Sequence, residues 1–151
     1  VADSLRPFRI VEDIGFRDLV KFLCELNGQF LVPTWNTVCT KTEKMAHVVE
    51  SRMRNAMNSE MKYFSATTDM WSGTTREAFI SLTIHYLTEE FIQRNFTLEV
   101  SPIRGRHTAQ NIQNLLIDAF NKWGLLTENL TVMARDNGSN IVAACNMWGI
   151  T

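Results

Sequence analysis

The sequence predicts an α/β fold, with N-terminal helices followed by a truncated core in the order β-β-β-α-β-α. Three observations carry this. Helical spacing of apolar residues dominates up to about Met61, the period then shortens towards two, and a single amphipathic helix separates the third strand signal from the fourth. Three strands in a meander, followed by a helical crossover into a fourth, suit a layered α/β core. The division this implies is a helical region over residues 1–61 and a core over 62–151.

The first helix is read from Ile14, Phe16, Leu19, Val20, Phe22 and Leu23, with Gly28 at the place of a C-capping glycine. After Pro33 and Thr34, a stretch with no interior Pro or Gly carries Val48, Val49, Met53, Ala56 and Met57 at helical spacing. Its Glu50 and Arg54 stand in the favourable i,i+4 order, so it suits one helix or two in series. Met45, Met53, Met57 and Met61 are expected to fill a core or an interface. Tyr63 to Asp69 is a short strand candidate ending in an acid, and Ala78 to Leu87 is a strong one. From Ile92 to Ser101, Ile92, Arg94, Phe96, Leu98 and Val100 alternate with polar residues, and Pro102 and Gly105 end the run. Thr108 to Trp123 has one apolar side and a stop at Gly124. Leu130 to Ala134 reads as a short strand, Asp136 to Ser139 as a turn, and Asn140 to Trp148 as a last helix that looks unfinished where the sequence stops at Thr151.

Composition narrows the function. Apolar residues make up 45% and charged residues 21%, which excludes a chain disordered throughout, and no apolar run approaches the ~20 residues of a membrane span, so no membrane partner is expected. The net charge is −1, with +1 up to Lys62 and −2 beyond it, so neither half has the basic excess of a free-standing nucleic-acid binder. Cys24, Cys39 and Cys145 are odd in number and far apart, with no Cys-x-x-Cys, which argues against a structural zinc site and for a reducing compartment.

Two carboxylates stand out. Asp69 ends the first strand candidate and Asp136 directly follows the fourth. If those strands are neighbours, both side chains emerge at one edge, where they can hold a divalent cation that also takes substrate phosphate. An Asp opening a turn and an Asp capping a helix account for the same spacing equally simply. Arg104, Arg106 and His107 make a small basic loop suited to phosphate, or merely a solvated turn. Trp71 suits base stacking or packing, His85 reads as a satisfied core or surface histidine, and Glu99 is an acid on the third strand that joins a site only if it faces the same edge.

The strings around these residues carry a resemblance. Ile14-Gly15-Phe16-Arg17-Asp18-Leu19-Val20, Thr67-Thr68-Asp69-Met70-Trp71, Thr83-Ile84-His85-Tyr86, Gly105-Arg106-His107-Thr108 and Asp136-Asn137-Gly138-Ser139-Asn140 occur in an order and rough spacing that resemble hAT (hobo/Activator-type) DNA transposases and their BED-finger relatives. The resemblance runs from about Val11 to Gly149. It implies an RNase H-like core with an Asp-Asp-Glu set, in which Asp69 and Asp136 are the first two catalytic and metal-binding carboxylates and Mg²⁺ or Mn²⁺ is the cofactor. It further implies DNA as partner, with Trp71, Arg104, Arg106 and His107 as contacts, helical N-terminal elements for DNA binding or dimerisation, self-association and a nuclear location. The third carboxylate would lie beyond Thr151, so this stretch by itself is expected not to cleave DNA. An upstream BED zinc finger is absent from the sequence, and Pro33-Thr34-Trp35 departs from the usual Pro-Ser-Arg-like string. A domesticated, non-catalytic DNA-binding regulator is the alternative that the same resemblance allows.

Overall fold

The computed structural model describes residues 7–27, 31–72 and 77–150. Two compact units divide the chain, one running to Arg52 and the other starting at Met53.

In the first unit a short 3-10 helix, Phe8–Glu12, precedes α1, Ile14–Asn27. Asp13 starts α1 by accepting the Phe16 N–H on its carboxylate at 2.9 Å, which satisfies one orphan donor of the helix entrance, and the Arg17 Nε donates back to the Val11 carbonyl of the preceding 3-10 helix at 2.9 Å. The expected C-capping Gly28 lies outside the described residues. The second long stretch is a single helix, α2, Trp35–Glu60, opened by Thr34, whose hydroxyl accepts the Thr37 N–H at 3.3 Å. Its methionines divide: Met57 is buried and Met53 and Met61 pack on the core, whereas Met45 is 67% exposed and fills nothing among the described residues.

The second unit is built on a four-stranded mixed sheet in the order β3-β2-β1-β4. β1, Phe64–Ser72, pairs antiparallel with β2, Ala78–Leu87, which pairs antiparallel with β3, Gln93–Pro102. β4, Leu130–Ala134, reaches the other side of β1 after α3, Ala109–Trp123, and runs parallel to it, as a helical crossover requires. α4, Ser139–Trp148, follows. The α/β class with N-terminal helices and the order β-β-β-α-β-α are therefore as the sequence predicts. α4 is a finished helix: Gly149 takes φ 77° and its N–H and that of Ile150 return to Asn146 and Cys145 carbonyls. This left-handed cap corrects the expectation of an unfinished end, because only glycine enters that conformation freely.

One sheet face makes the core. Phe64, Ala66 and Thr68 of β1 and Ile80, Leu82, Ile84 and Tyr86 of β2 are buried, in the period of two that a half-buried strand demands. Ile112, Leu116, Ala119 and Phe120 of α3 and Ile141, Ala144 and Cys145 of α4 share the same core. Phe120 meets Phe64 at 6.0 Å between ring centroids and Trp148 edge-on at 4.8 Å. The other face of β1 and β2, with Ser65, Thr67, Asp69, Ser81, Thr83 and His85, is hydroxyl-rich and only half-buried at most.

β3 departs from simple alternation. Leu82 faces Glu99 and Thr83 faces Thr97, so Leu98 is the extra residue of a bulge. Phe96 before the bulge and Leu98 in it turn to the core; after it Glu99 turns inward, and Val100, expected on the apolar side, is 51% exposed. Among the described residues no helix is long and apolar enough to cross a membrane.

Candidate active site at one end of the sheet

The parallel pairing of β1 with β4 decides where the two aspartates stand. Ala66 faces Met133 and Thr67 faces Ala134. The ladder ends at that pair, with β1 running on to Ser72 and β4 stopping at Ala134; Asp69 lies two residues after Thr67 and Asp136 two residues after Ala134, both towards the C-terminal ends of these neighbouring strands. Asp69 shares its side of β1 with Thr67 and Trp71, away from the core, and faces Ser81 of β2.

Both carboxylates are exposed. Asp69 has no hydrogen-bond or ion-pair partner among the described residues. Asp136 accepts the Gly138 N–H on Oδ1 at 3.1 Å just before α4, so it does shape the helix entrance. That hydrogen bond occupies one oxygen position of a group that offers several lone pairs, and a turn role and a ligand role are compatible here. Thr68, between Thr67 and Asp69 on the core side, is buried with a hydroxyl that has no partner among the described residues.

The other predicted residues come to the same end. Trp71 faces Phe79 across the β1–β2 ladder, and the rings stack at 5.8 Å and 22°. Trp71 is nonetheless 42% exposed, so packing on Phe79 leaves ring surface open. Phe79 in turn faces Pro102, the last residue of β3, and the loop after it carries Arg104, Arg106 and His107, all exposed. Asn111 fixes that loop by donating its side-chain amide to the Arg104 and Arg106 carbonyls at 3.0 and 3.1 Å, and Thr108 caps α3 by accepting the Asn111 N–H at 3.3 Å. Phe79 and Ser81, as neighbours of Trp71 and Asp69, were not legible in sequence, because they follow from cross-strand register alone.

Several acidic and polar candidates are excluded by their surroundings. Glu99 lies on the core side, bound by the Lys122 ammonium at 2.7 Å, the Trp123 indole N–H at 3.4 Å and the Ser101 hydroxyl at 3.2 Å. It belongs to the packing of α3 on β3. His85 is hydrogen-bonded to the Thr67 hydroxyl at 3.1 Å. Burial pushes the Cys145 thiol pKa up, and its sulfur lies 3.9 Å from that of Met133. Among the described residues no group of three or more His, Cys, Asp and Glu is placed to hold a metal ion. The pair Asp69 and Asp136 by itself suits Mg²⁺ or Mn²⁺ in chemical type: exposed, hard carboxylate oxygens, few in number, with room for water and phosphate.

Residues 67–148, more than half of the chain and a span that includes every residue of this sheet end named above, match the ZBED1 RNase-like domain. The chain belongs to the ZBED1 RNase-like domain family. Its relatives agree with the hAT assignment. It is 27% identical to the Hobo transposase of Drosophila melanogaster over 95% of the chain and 24% of that protein. It is 23% identical to a Zea mays protein named "Putative AC transposase" over 88% of the chain and 16% of that protein. A Talaromyces stipitatus protein named "Putative transcriptional regulator tpeD" is 24% identical over 93% of the chain and 16% of its own length. The ZBED1 RNase-like domain described here is thus of hAT transposase-derived origin, and it spans less than a quarter of the length of these relatives.

Proposed function

We propose that the sheet end carrying Asp69 and Asp136 belongs to the phosphodiester-processing site of a hAT-type transposase that acts on DNA in the nucleus. The observation that supports the reading is the parallel pairing of β1 with β4, two neighbouring strands that lead to the two exposed carboxylates in the same direction. In this reading Asp69 and Asp136 supply carboxylate oxygens to divalent cations. Such cations, when bound, activate the attacking oxygen and stabilise the leaving one. Trp71 offers its open ring face to a base, and Arg104, Arg106 and His107 contact the strand's phosphates from the loop at the same end. Residues 62–151 then form the catalytic-core portion, and residues 1–61 serve DNA binding or self-association.

The test uses the full-length protein with supercoiled plasmid and Mg²⁺ or Mn²⁺. Asp69→Asn and Asp136→Asn should each lower nicking by at least ~100-fold, as loss of a group that stabilises a phosphoryl transition state does. Both variants should also weaken Mn²⁺ binding followed by electron paramagnetic resonance. Unchanged nicking and unchanged Mn²⁺ binding in both variants would overturn the reading. The second reading, a domesticated DNA-binding regulator, is favoured by the regulator name of the Talaromyces relative. It predicts DNA binding by the wild-type protein with no metal-dependent nicking at all.

A further inference from the structure

The end of the sheet away from the aspartates carries a groove of its own. Tyr63, just before β1, Leu87, the last residue of β2, and Phe91, in the β2–β3 turn, are each more than half exposed. They line one groove of about 600 Å³, together with His85 of the sheet face away from the core. Tyr63 precedes Asp69 by six residues along β1, so the two ends stand about 20 Å apart. Among the described residues, Phe91 is the one residue other than glycine with a positive φ, at 61°. A residue with a Cβ is strained there, and an open ring recovers little of that strain by burial. Backbone strain of this kind collects at ligand clamps and switch regions, and exposed apolar side chains gathered at one groove mark an interaction surface.

The charge around the groove is uneven. Lys62, the cation lining it, lies 5.9 Å from the centroid of the Tyr63 ring. At the turn, Glu89 lines the groove and Glu90 follows it; both are exposed, and neither has an ion-pair partner among the described residues. A hydrogen bond from the Thr88 side chain holds the Glu90 carboxyl below the usual glutamate value, so this acid stays ionised.

We propose that this groove docks a short segment of a partner protein, with a large apolar side chain set against Phe91, Tyr63 and Leu87 and a neighbouring lysine or arginine meeting Glu89 and Glu90. Charge complementarity selects the occupant. A nucleic-acid strand would bring phosphates against two ionised acids. A second copy in a two-fold contact would bring its own Glu89 and Glu90, and four acids would face two lysines already engaged by tyrosine rings. A basic, apolar segment meets both the open rings and the acids favourably. The inference does not use the reading of the other sheet end as a phosphodiester-processing site.

The experiment selects a random twelve-residue peptide library, displayed on phage, against the immobilised full-length protein. Enriched peptides are then synthesised with fluorescein and titrated by polarisation against wild type and variants. The expected peptides combine a large apolar residue with lysine or arginine, and Phe91→Asn should weaken them at least ~30-fold, the loss of one interface hot spot. That substitution relieves backbone strain, so its urea midpoint should not fall below that of wild type, which separates lost binding from lost folding. The double change Glu89→Lys, Glu90→Lys should weaken the same peptides about 10-fold at about 50 mM salt and by less at about 500 mM. Absence of any enriched peptide that depends on Phe91, or enrichment of acidic ones, overturns the proposal. So does a Phe91-dependent change in sedimentation, which would assign the groove to a second copy, or a Phe91-dependent loss of affinity for a labelled duplex, which would assign it to DNA. A lower urea midpoint in Phe91→Asn overturns it as well, since the ring would then be covered by the protein itself.

Discussion

Glu99 is pulled in two directions. Its partial burial favours the neutral acid, while the Lys122 ammonium, the Trp123 indole N–H and the Ser101 hydroxyl favour the carboxylate, and the outcome is a pKa below the ordinary glutamate value. A carboxyl whose folded pKa is depressed adds stability above its unfolded pKa of about 4.3 and loses it as pH falls through the lower folded value. Lys122 is half-exposed, with 52% of its side-chain surface open, so the ion pair is screened and its worth is modest. Glu99→Gln is expected to cost about 1 kcal/mol at neutral pH. The deficit against wild type, measured by urea denaturation, should shrink as the pH is lowered below the unfolded glutamate value and the wild-type carboxylate protonates too. A deficit that stays constant with pH would show that packing, not charge, holds this contact.

At the scale of elements, the β2–β3 hairpin stores strain. Its turn is closed by the Phe91 N–H donating to the Thr88 carbonyl, the Thr88 N–H to the Ile92 carbonyl and the Ile92 N–H to the Thr88 hydroxyl. Phe91 sits at φ 61°, with its residue surface 83% exposed. The left-handed region costs a residue with a Cβ roughly 1–2 kcal/mol, and asparagine bears it better. Phe91→Asn should therefore stabilise the protein by about 1 kcal/mol, since little ring burial is lost. A lower urea midpoint would mean that the ring is packed in the folded protein. This hairpin also marks the boundary of what sequence alone conveys. β2 and β4 run between the residues their patterns predict, because apolar alternation and short buried runs are local signals. β1 extends three residues past Asp69, since Trp71 and Ser72 pair with Phe79 and Ala78, and pairing is not local. Phe91 reads as part of an apolar run but makes the turn. Val100 and Glu99 exchange sides because a bulge adds a residue that no period reveals. The aspartates are legible in sequence as acids near strand ends; that their strands are parallel neighbours follows only from the register.

Across the whole molecule, stability is concentrated in one unit. Up to Arg52, Val11 is the buried residue among those described, and α1 leaves Ile14, Leu19, Phe22 and Leu23 largely exposed. From Met53 on, the core face of the sheet, α3 and α4 bury a continuous set that includes Ile84, Ile112, Leu116, Phe120 and Ile141 at 2% exposure or less. Fully burying a side chain of this size contributes about 1.5–3 kcal/mol. Each unit's own burial sets how its backbone hydrogen bonds open: a helix with few buried contacts opens locally, whereas amides in a packed sheet open only when the unit unfolds. Hydrogen exchange should separate the two in the native protein. Amides of Ala66, Ile80, Leu82 and Ile84, in the central strands, should exchange with the free energy of global unfolding, within the ~5–15 kcal/mol usual for a domain. Amides of Phe22 and Leu23 in α1 should exchange by local opening, orders of magnitude faster and with little response to low concentrations of denaturant, because local opening exposes little new surface. If α1 were instead protected to the level of β1 and β2, its exposed apolar residues would have to be covered in solution.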